Sequence, residues 1–176
     1  MMFKNTLLAA AVFALGGIAM SASANVATGT FTVSLKVNKT CVVNTTAASS
    51  ITLAAVNAGA ATTTLPGTFT VNCSNKTPFF VGLAPSNNNT AGAGVLAGGI
   101  VGNLATINYA LYQDPGAATA WGNTATSVTV GNGESGTGGG MAAAKAVSFT
   151  AYANATSSTD VQPDTYTDTV TINVNF

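Results

Sequence analysis

The chain is defined first by the residue types that it lacks. Its 176 residues contain no histidine and no arginine, one tryptophan and two cysteines, and only 6% of them are charged, against roughly a quarter in an ordinary soluble domain. Without histidine, the commonest general base and metal ligand is missing. The low charge leaves no basic patch for a nucleic acid. We therefore expect no enzyme, no cofactor and no nucleic-acid partner.

The few acidic residues offer weak alternatives to that expectation. Asp160, Asp164 and Asp168 are spaced by four and could suggest a calcium site. Pro163 and the strand-like sequence after it argue against one helical face, so we interpret the three as turn residues. Asp114 and Glu134 could be imagined as a glycosidase pair. Nothing in the sequence brings those two together, and we predict no catalytic and no metal-binding residues.

The first 24 residues have the features of a secretory signal peptide. Lys4 provides the positive start, residues 7–20 are apolar, and Ala22-Ser23-Ala24 is a small-x-small cleavage site. The apolar run is too short to cross a membrane comfortably. We expect cleavage after Ala24, which leaves 176 − 24 = 152 residues with a net charge of 4 − 5 = −1. That length suits a single domain with a core of its own.

The two cysteines predict a disulfide. Cys41 and Cys73 are the only cysteines, and pairing is the expected state in an exported protein. The bond would close a loop of about 33 residues and stabilise the fold by roughly 3 to 4 kcal/mol on the chain-entropy account. A thiol nucleophile or a zinc site would need a base or further ligands that the chain does not provide.

Apolar and polar side chains alternate along much of the chain, which is typical of strands buried on one face. The clearest examples are residues 106–113, 146–153 and 166–176. Further strands are predicted at 40–43, 50–56, 69–73, 79–83 and 127–130. Because no segment after the signal has sustained helical periodicity, we predict an all-β fold, an antiparallel β-sandwich.

Three other features complete the prediction of the body. The glycine-rich segment 131–140 is predicted to be a flexible loop, and 91–102 is also rich in glycine. Trp121 could stack on a sugar, as in a lectin, or fill the core. We favour core packing, because a single tryptophan in a small sandwich commonly packs there.

The two termini of the mature chain are complementary. Residues 28–37 form a strand-like segment with Phe31, Val33, Leu35 and Val37 on one face and no nearby hairpin partner. The chain ends in another alternating strand, with no further strand to cover its open side. The leading segment of one copy could therefore fill a groove in the next and give an open head-to-tail polymer. The alternative is an ordinary first strand of the chain's own sandwich.

The sequence resembles the spore coat protein U domain family. The resemblance rests on Tyr109-Ala110-Leu111-Tyr112-Gln113-Asp114 followed by Trp121-Gly122, on the ending from Tyr166 to Phe176, and on the run from Phe31 to Val37 that leads to Cys41. Within the family, the chain is similar to major shaft pilins of archaic, Csu-type chaperone–usher pili. One departure is visible, because Asp164-Thr165 precedes Tyr166 where relatives often have glycine.

The resemblance implies a six-stranded, incomplete immunoglobulin-like fold that lacks its last strand. It implies a signal peptide at 1–24, a donor-strand extension at 25–37 and a pilin domain at 38–176. Phe31, Val33, Leu35 and Val37 would be donor plugs, and the groove edge would carry Val170, Ile172, Val174 and Phe176. The implied partners are identical subunits, a periplasmic chaperone, an outer-membrane usher and a tip adhesin subunit.

The implied location is the periplasm and then a surface pilus of a Gram-negative bacterium, used for attachment and biofilm formation. Two other hypotheses stay open on the sequence alone. One is a secreted sandwich that binds a ligand, either a tip adhesin or a lectin-like module. The other is a structural protein of a spore coat or matrix.

Overall fold

The computed structural model describes residues 26–176, so the predicted signal peptide at 1–24 lies outside the described residues. Val37–Phe176 forms one compact unit. Within it the chain forms the strands β1 Cys41–Asn44, β2 Leu65–Cys73, β3 Pro78–Ala84, β4 Ala93–Gly98, β5 Thr106–Tyr112, β6 Glu134–Thr137, β7 Val147–Ala155, β8 Tyr166–Thr167 and β9 Thr171–Asn175. Two short 3-10 turns, Ala47–Ser49 and Ala143–Lys145, accompany them. No helix in residues 26–176 is long and apolar enough to cross a membrane.

The strands form two antiparallel sheets. The larger sheet has the order β1-β2-β7-β5-β4-β8, and the smaller has the order β6-β3-β9. Six strands have five or more residues, while β1, β6 and β8 have four, four and two. The predicted all-β class and antiparallel pairing are therefore confirmed, and the six strands that the resemblance implies are accompanied by three short ones.

The predicted alternation builds the core. Phe69, Val71 and Cys73 of β2 and the corresponding residues of β3, β5 and β7 are buried. Most of their neighbours along each strand are more exposed, and Asn72 and Gly82 are the buried exceptions. The buried side chains of the four strands form a single cluster with Trp121. Burying an aliphatic or aromatic side chain contributes roughly 1.5 to 3 kcal/mol, so this cluster is the main source of stability.

Trp121 packs in the core, as predicted, and is completely buried. Its ring lies 6.0 Å from that of Phe69 and 6.2 Å from that of Phe149, between ring centroids. Its indole Nε1–H donates to the carbonyl of Val81 at 2.9 Å. The polar atom of the ring is thus satisfied inside the apolar core, as a buried tryptophan requires.

The predicted disulfide joins Cys41 to Cys73. These residues are opposite each other in the pairing of β1 with β2. Because β1 has only four residues, the bond secures a short edge strand that backbone pairing alone would hold weakly.

Two predicted strands are absent from the structure. Residues 50–56 are not in a strand, although Ile51 and Leu53 remain half-buried between more exposed neighbours. Residues 127–130 form a turn instead. There the Thr126 Oγ1 accepts from the N–H groups of Val128 and Thr129, and such side-chain bonds compete with strand pairing.

Both glycine-rich segments contain strands. The prediction of a flexible loop at 131–140 was wrong, because β6 lies inside it and pairs with β3. Likewise β4 lies inside 91–102 and pairs with both β5 and β8. Glycine removes the alternating side chains on which a strand prediction depends, but close packing can require it. A Cβ at Gly94 would overlap the ring of Tyr109, and one at Gly136 would overlap Phe79.

The last predicted strand, 166–176, is split into β8 and β9. β8 belongs to the larger sheet and β9 to the smaller. Between them, the Asp168 carboxylate accepts the Thr169 N–H at 2.7 Å and the Tyr109 hydroxyl at 2.8 Å. These bonds hold a bend in which the chain crosses from one sheet to the other.

Candidate functional site

A large apolar groove opens in the compact unit. Its volume is about 1140 Å³, whereas the interior of a closed domain has few voids larger than one water molecule. The floor is made of core side chains from both sheets, among them Phe69, Leu83, Tyr109 and Leu111. Part of the core of this fold is therefore not covered by a strand of the compact unit.

The two long walls of the groove differ in structure. One wall contains residues 161–172, which lead into β9. The other contains residues between 45 and 58, including the 50–56 segment that was predicted to be a strand. In the described part of the chain, residues 51–56 form no backbone–backbone hydrogen bond. Both walls thus border the same open groove.

β9 is an edge strand, and the register indicates which of its backbone groups are free. Val174 lies opposite Val81, and Ile172 lies opposite Leu83. The Leu83 N–H donates to the Gly122 carbonyl at 2.9 Å, so it does not bond to Ile172. Because bonded and non-bonded pairs alternate in an antiparallel ladder, Ile172 and Val174 direct their N–H and C=O groups away from β3. Their side chains pack against the core.

The predicted groove-edge residues are placed in and around β9. Val170 precedes the strand, Ile172 and Val174 lie within it, and Phe176 follows it. The first three are half-buried against the core cluster, whereas the Phe176 side chain is 41% exposed. A row of apolar side chains therefore follows an open backbone edge for most of its length.

The other edge of the smaller sheet is less suited to pairing. β6 has four residues and carries Glu134, and burial raises the pKa of that carboxyl group. A charged residue on a short edge strand discourages association with another strand. β9 has no charged residue and no proline, so it lacks these protective features.

The leading segment, described on its own, contains the predicted donor plugs. No residue from 26 to 40 belongs to a strand. The side chains of Phe31, Val33, Leu35 and Val37 are between 81% and 88% exposed. Scattered exposed apolar residues are ordinary, but four large ones at period two share one face of the segment wherever its backbone is extended.

The acidic residues bind backbone and side-chain groups of the chain itself. The Asp114 carboxylate accepts the N–H of Thr119 at 2.7 Å and that of Ala118 at 3.2 Å, and these bonds lower its pKa. Burial opposes ionisation of Asp168, but hydrogen bonds from Ser86 and Tyr109 outweigh it and lower the pKa. Both carboxylates therefore stabilise turns.

Asp164 holds the hairpin between β4 and β5. Its carboxylate accepts the Ile100 N–H at 2.9 Å and the Asn103 Nδ2–H at 2.7 Å. The bond from Ile100 and then that from Asn103 lower the pKa of Asp164. Among the described residues, no three acidic or cysteine side chains are grouped so as to hold a metal ion.

Sequence reasoning missed the bond between Tyr109 and Asp168 and the crossing of the chain from β8 to β9. The alternation of residues 166–176 continues through the crossing, so the pattern itself contains no sign of it. Asp168 was the only local signal, because aspartate commonly accepts a nearby backbone N–H in a turn.

A family model and several chains of solved structures are similar to this chain. The model of the Spore Coat Protein U domain matches residues 27–173. The crystal structure of the CsuC–CsuE chaperone–tip adhesion subunit pre-assembly complex, from archaic chaperone–usher Csu pili of Acinetobacter baumannii, contains a chain that is 16% identical with a TM-score of 0.49. The match covers 80% of this chain and 40% of that one. No curated protein matches the sequence.

Proposed function

The chain belongs to the spore coat protein U domain family, and we propose that it is a structural pilus subunit that polymerises by donor-strand complementation. In this proposal the leading segment of one copy enters the groove of the next. The observation that carries it is the open apolar groove beside the unpaired edge of β9. The exposed apolar stripe at Phe31, Val33, Leu35 and Val37 supports it, because it offers the side chains that the groove needs.

The burial of apolar side chains favours insertion of the leading segment into the groove. Burying four large apolar side chains contributes roughly 6 to 12 kcal/mol before the cost of ordering the segment. Pairing with the free N–H and C=O groups of Ile172 and Val174 would add direction and register. Residues 51–56, which have no backbone partner among the described residues, border the same space on the other side.

The proposed pathway of export and assembly follows from the family resemblance. Residues 1–24 direct export and are removed, residues 25–37 act as the donor strand, and residues 38–176 form the acceptor domain. A periplasmic chaperone occupies the groove first, and an outer-membrane usher then exchanges it for an incoming subunit. The chain becomes a shaft subunit below a tip adhesin subunit, on the surface of a Gram-negative bacterium, and serves attachment and biofilm formation. Its role is structural rather than catalytic.

The test places one charge on each face of the leading segment. Phe31→Asp puts a carboxylate on the face that would enter the groove, whereas Thr32→Asp puts it on the opposite face of the same extended segment. Each variant is expressed with the chaperone and the usher, and fibres are counted by negative-stain electron microscopy. We expect Phe31→Asp to abolish fibres while the chaperone-bound subunit stays soluble, and Thr32→Asp to retain them. Equal fibre yield from both variants would reject the proposal.

A further inference from the structure

Three exposed lysines, Lys39, Lys76 and Lys145, lie at one end of the compact unit. Backbone and side-chain hydrogen bonds connect the segments that carry them, from the Thr40 N–H to Ser74 Oγ, from the Lys76 N–H to the Gly138 carbonyl and from the Gly140 N–H to the Cys73 carbonyl. The backbone of Lys145 lies beside Gly139. We call this group of three residues the lysine end. The chain has no other lysine after residue 39 and no arginine.

Asp160 and Asp164 lie at the opposite end. β7 begins two residues after Lys145 and finishes five residues before Asp160. Its nine residues extend for about 30 Å, which separates the two ends. We call Asp160, Asp164 and the hairpin loop 99–105 the acidic end. The two ends of the compact unit therefore differ in the sign of their charge, whereas Asp114 and Glu134 belong to neither end, and the charges of the whole chain sum to zero.

The loop 99–105 presents two apolar side chains to solvent. Val101 is fully exposed and Leu104 is 92% exposed. The loop is nevertheless well held, because the Asp164 carboxylate binds it from outside and the Asn103 N–H donates to the Ile100 carbonyl at 3.0 Å. Exposed apolar side chains on a loop whose backbone is held in one conformation are typical of an interaction surface.

We infer that the acidic end of one copy receives the lysine end of the next copy, as a second contact in the polymer besides the donor strand. This inference rests on the proposed function, and charge decides how the two copies meet. β9 begins seven residues after Asp164, beyond β8, and runs away from the acidic end towards the lysine end, where Asn175 lies opposite Phe80 near the start of β3. A donor segment antiparallel to β9 would leave the groove at the acidic end.

The length of the connection then brings the two ends together. Only residues 38–40 separate the donor plugs from β1, a distance of about 10 Å when extended. An antiparallel donor therefore brings its own lysine end against the acidic end of the acceptor. A parallel donor would leave the groove near Phe176 and bring lysines against lysines, which is unfavourable.

The two surfaces also match in their apolar character. Met141, near Lys145, is 46% exposed, and the aliphatic stems of the lysines add further apolar area. Val101 and Leu104 could pack on this area while Asp160 faces the ammonium groups. Exposed ion pairs are individually weak, so the contact would bend and re-form while the donor strand keeps the copies joined.

The test measures the persistence length of assembled fibres by electron microscopy in about 0.1 M and about 1 M NaCl, which change the screening length from about 10 Å to about 3 Å. The variants are Asp160→Lys, Lys145→Glu, the two combined, and Val101→Ser with Leu104→Ser. Val128→Ser is the matched control, because Val128 is also exposed but lies in the 126–129 turn. Asp164 is left unchanged because it holds the loop.

We expect high salt, each single charge reversal and the paired serine variant to shorten the wild-type persistence length by roughly twofold or more, with each ion pair contributing modestly. The combined reversal should recover most of it, and Val128→Ser should leave it unchanged. Fibres that form with the same persistence length in every variant and both salts would overturn the end contact while leaving donor-strand assembly intact. If each single charge reversal shortens the persistence length and the combined variant does not restore it, the pairing of Asp160 with Lys145 is overturned. Absence of wild-type fibres would overturn both proposals.

Discussion

The hydroxyl of Tyr109 donates a hydrogen bond to the Asp168 carboxylate, with an oxygen–oxygen distance of 2.8 Å. The bond connects the middle of β5 to the bend between β8 and β9, so it links the two sheets where the groove wall begins. Burial, with the nearby Asp168 charge and hydrogen bond, raises the pKa of Tyr109 strongly. The phenol therefore stays protonated at all ordinary pH values and remains a donor.

Tyr109→Phe should destabilise the fold and loosen β9. The change removes a hydrogen bond to a charged group, worth about 1.5 to 3 kcal/mol, and leaves Asp168 partly buried with one donor fewer. Urea unfolding of the chaperone-free subunit would measure the loss, and hydrogen exchange would locate it at residues 168–175. Tyr152→Phe on β7 is the control. An equal effect of the two changes would contradict the role given to the Tyr109 hydroxyl.

Glu134→Gln should raise stability at neutral pH and change its pH dependence. Burial raises the pKa of Glu134 above its ordinary value of 4.5, so the folded state binds this proton more tightly than the unfolded state. The resulting stability is fully present below pH 4.5 and is lost as pH rises through the folded pKa. The variant should lose that decline in unfolding free energy, as measured by urea titration between about pH 2 and pH 8.

The acidic part of the same profile provides the control for Glu134. The pKa values of Asp114, Asp164 and Asp168 are lowered from 3.8, so their stabilisation is present above that pH and is lost as pH falls through the folded values. Glu134→Gln should leave this acid arm unchanged. A variant that instead kept the wild-type decline above pH 4.5 would show that Glu134 does not cause it.

Cys41→Ser should lower both stability and yield. The disulfide closes a loop with a sequence separation of 32, and its loss should cost roughly 3 to 4 kcal/mol. The measurement is the denaturation midpoint of the chaperone-released subunit, together with the amount recovered from the periplasm. Cys41→Ser combined with Cys73→Ser separates loss of the bond from the effect of a free thiol. Two free thiols in the mature wild-type protein would remove the basis of this prediction.

Trp121→Phe should destabilise the core although the new side chain is also aromatic. The smaller ring leaves a cavity, and the Val81 carbonyl loses the indole N–H that it accepts at 2.9 Å. An unsatisfied buried acceptor costs about 1 to 3 kcal/mol. Thermal unfolding followed by far-UV circular dichroism would measure the change, and an unaltered melting temperature would be inconsistent with the buried contact.

Much of the fold could be predicted from alternation along the chain. Phe69, Phe79, Tyr109 and Phe149 all lie in strands whose inward residues were identified from period two alone, and all are buried. The prediction failed where that local signal is absent or misleading. β4 and β6 are glycine-rich, so they show little alternation, and their pairing with longer strands decides their conformation.

Residues 50–56 illustrate the opposite error. The segment alternates, and Ile51 contacts the core, yet it pairs with no strand in the described structure. Alternation reports which face of a segment is buried, but a strand also needs a backbone partner at the correct distance. In the proposed polymer that partner would be supplied by another copy, which the pattern within one chain cannot reveal.

The amino-acid pattern by itself determined the all-β class, the inward faces of the main strands, the disulfide and the exposed character of the leading apolar stripe, because each depends on residue type and local spacing. Tertiary structure alone decided that Tyr109 meets Asp168, that the last segment divides between two sheets, and that β9 borders an open groove. These features depend on which distant segments become neighbours. The same is true of the grouping of Lys39, Lys76 and Lys145 at one end, since residues far apart in sequence are brought together only when the strands are paired.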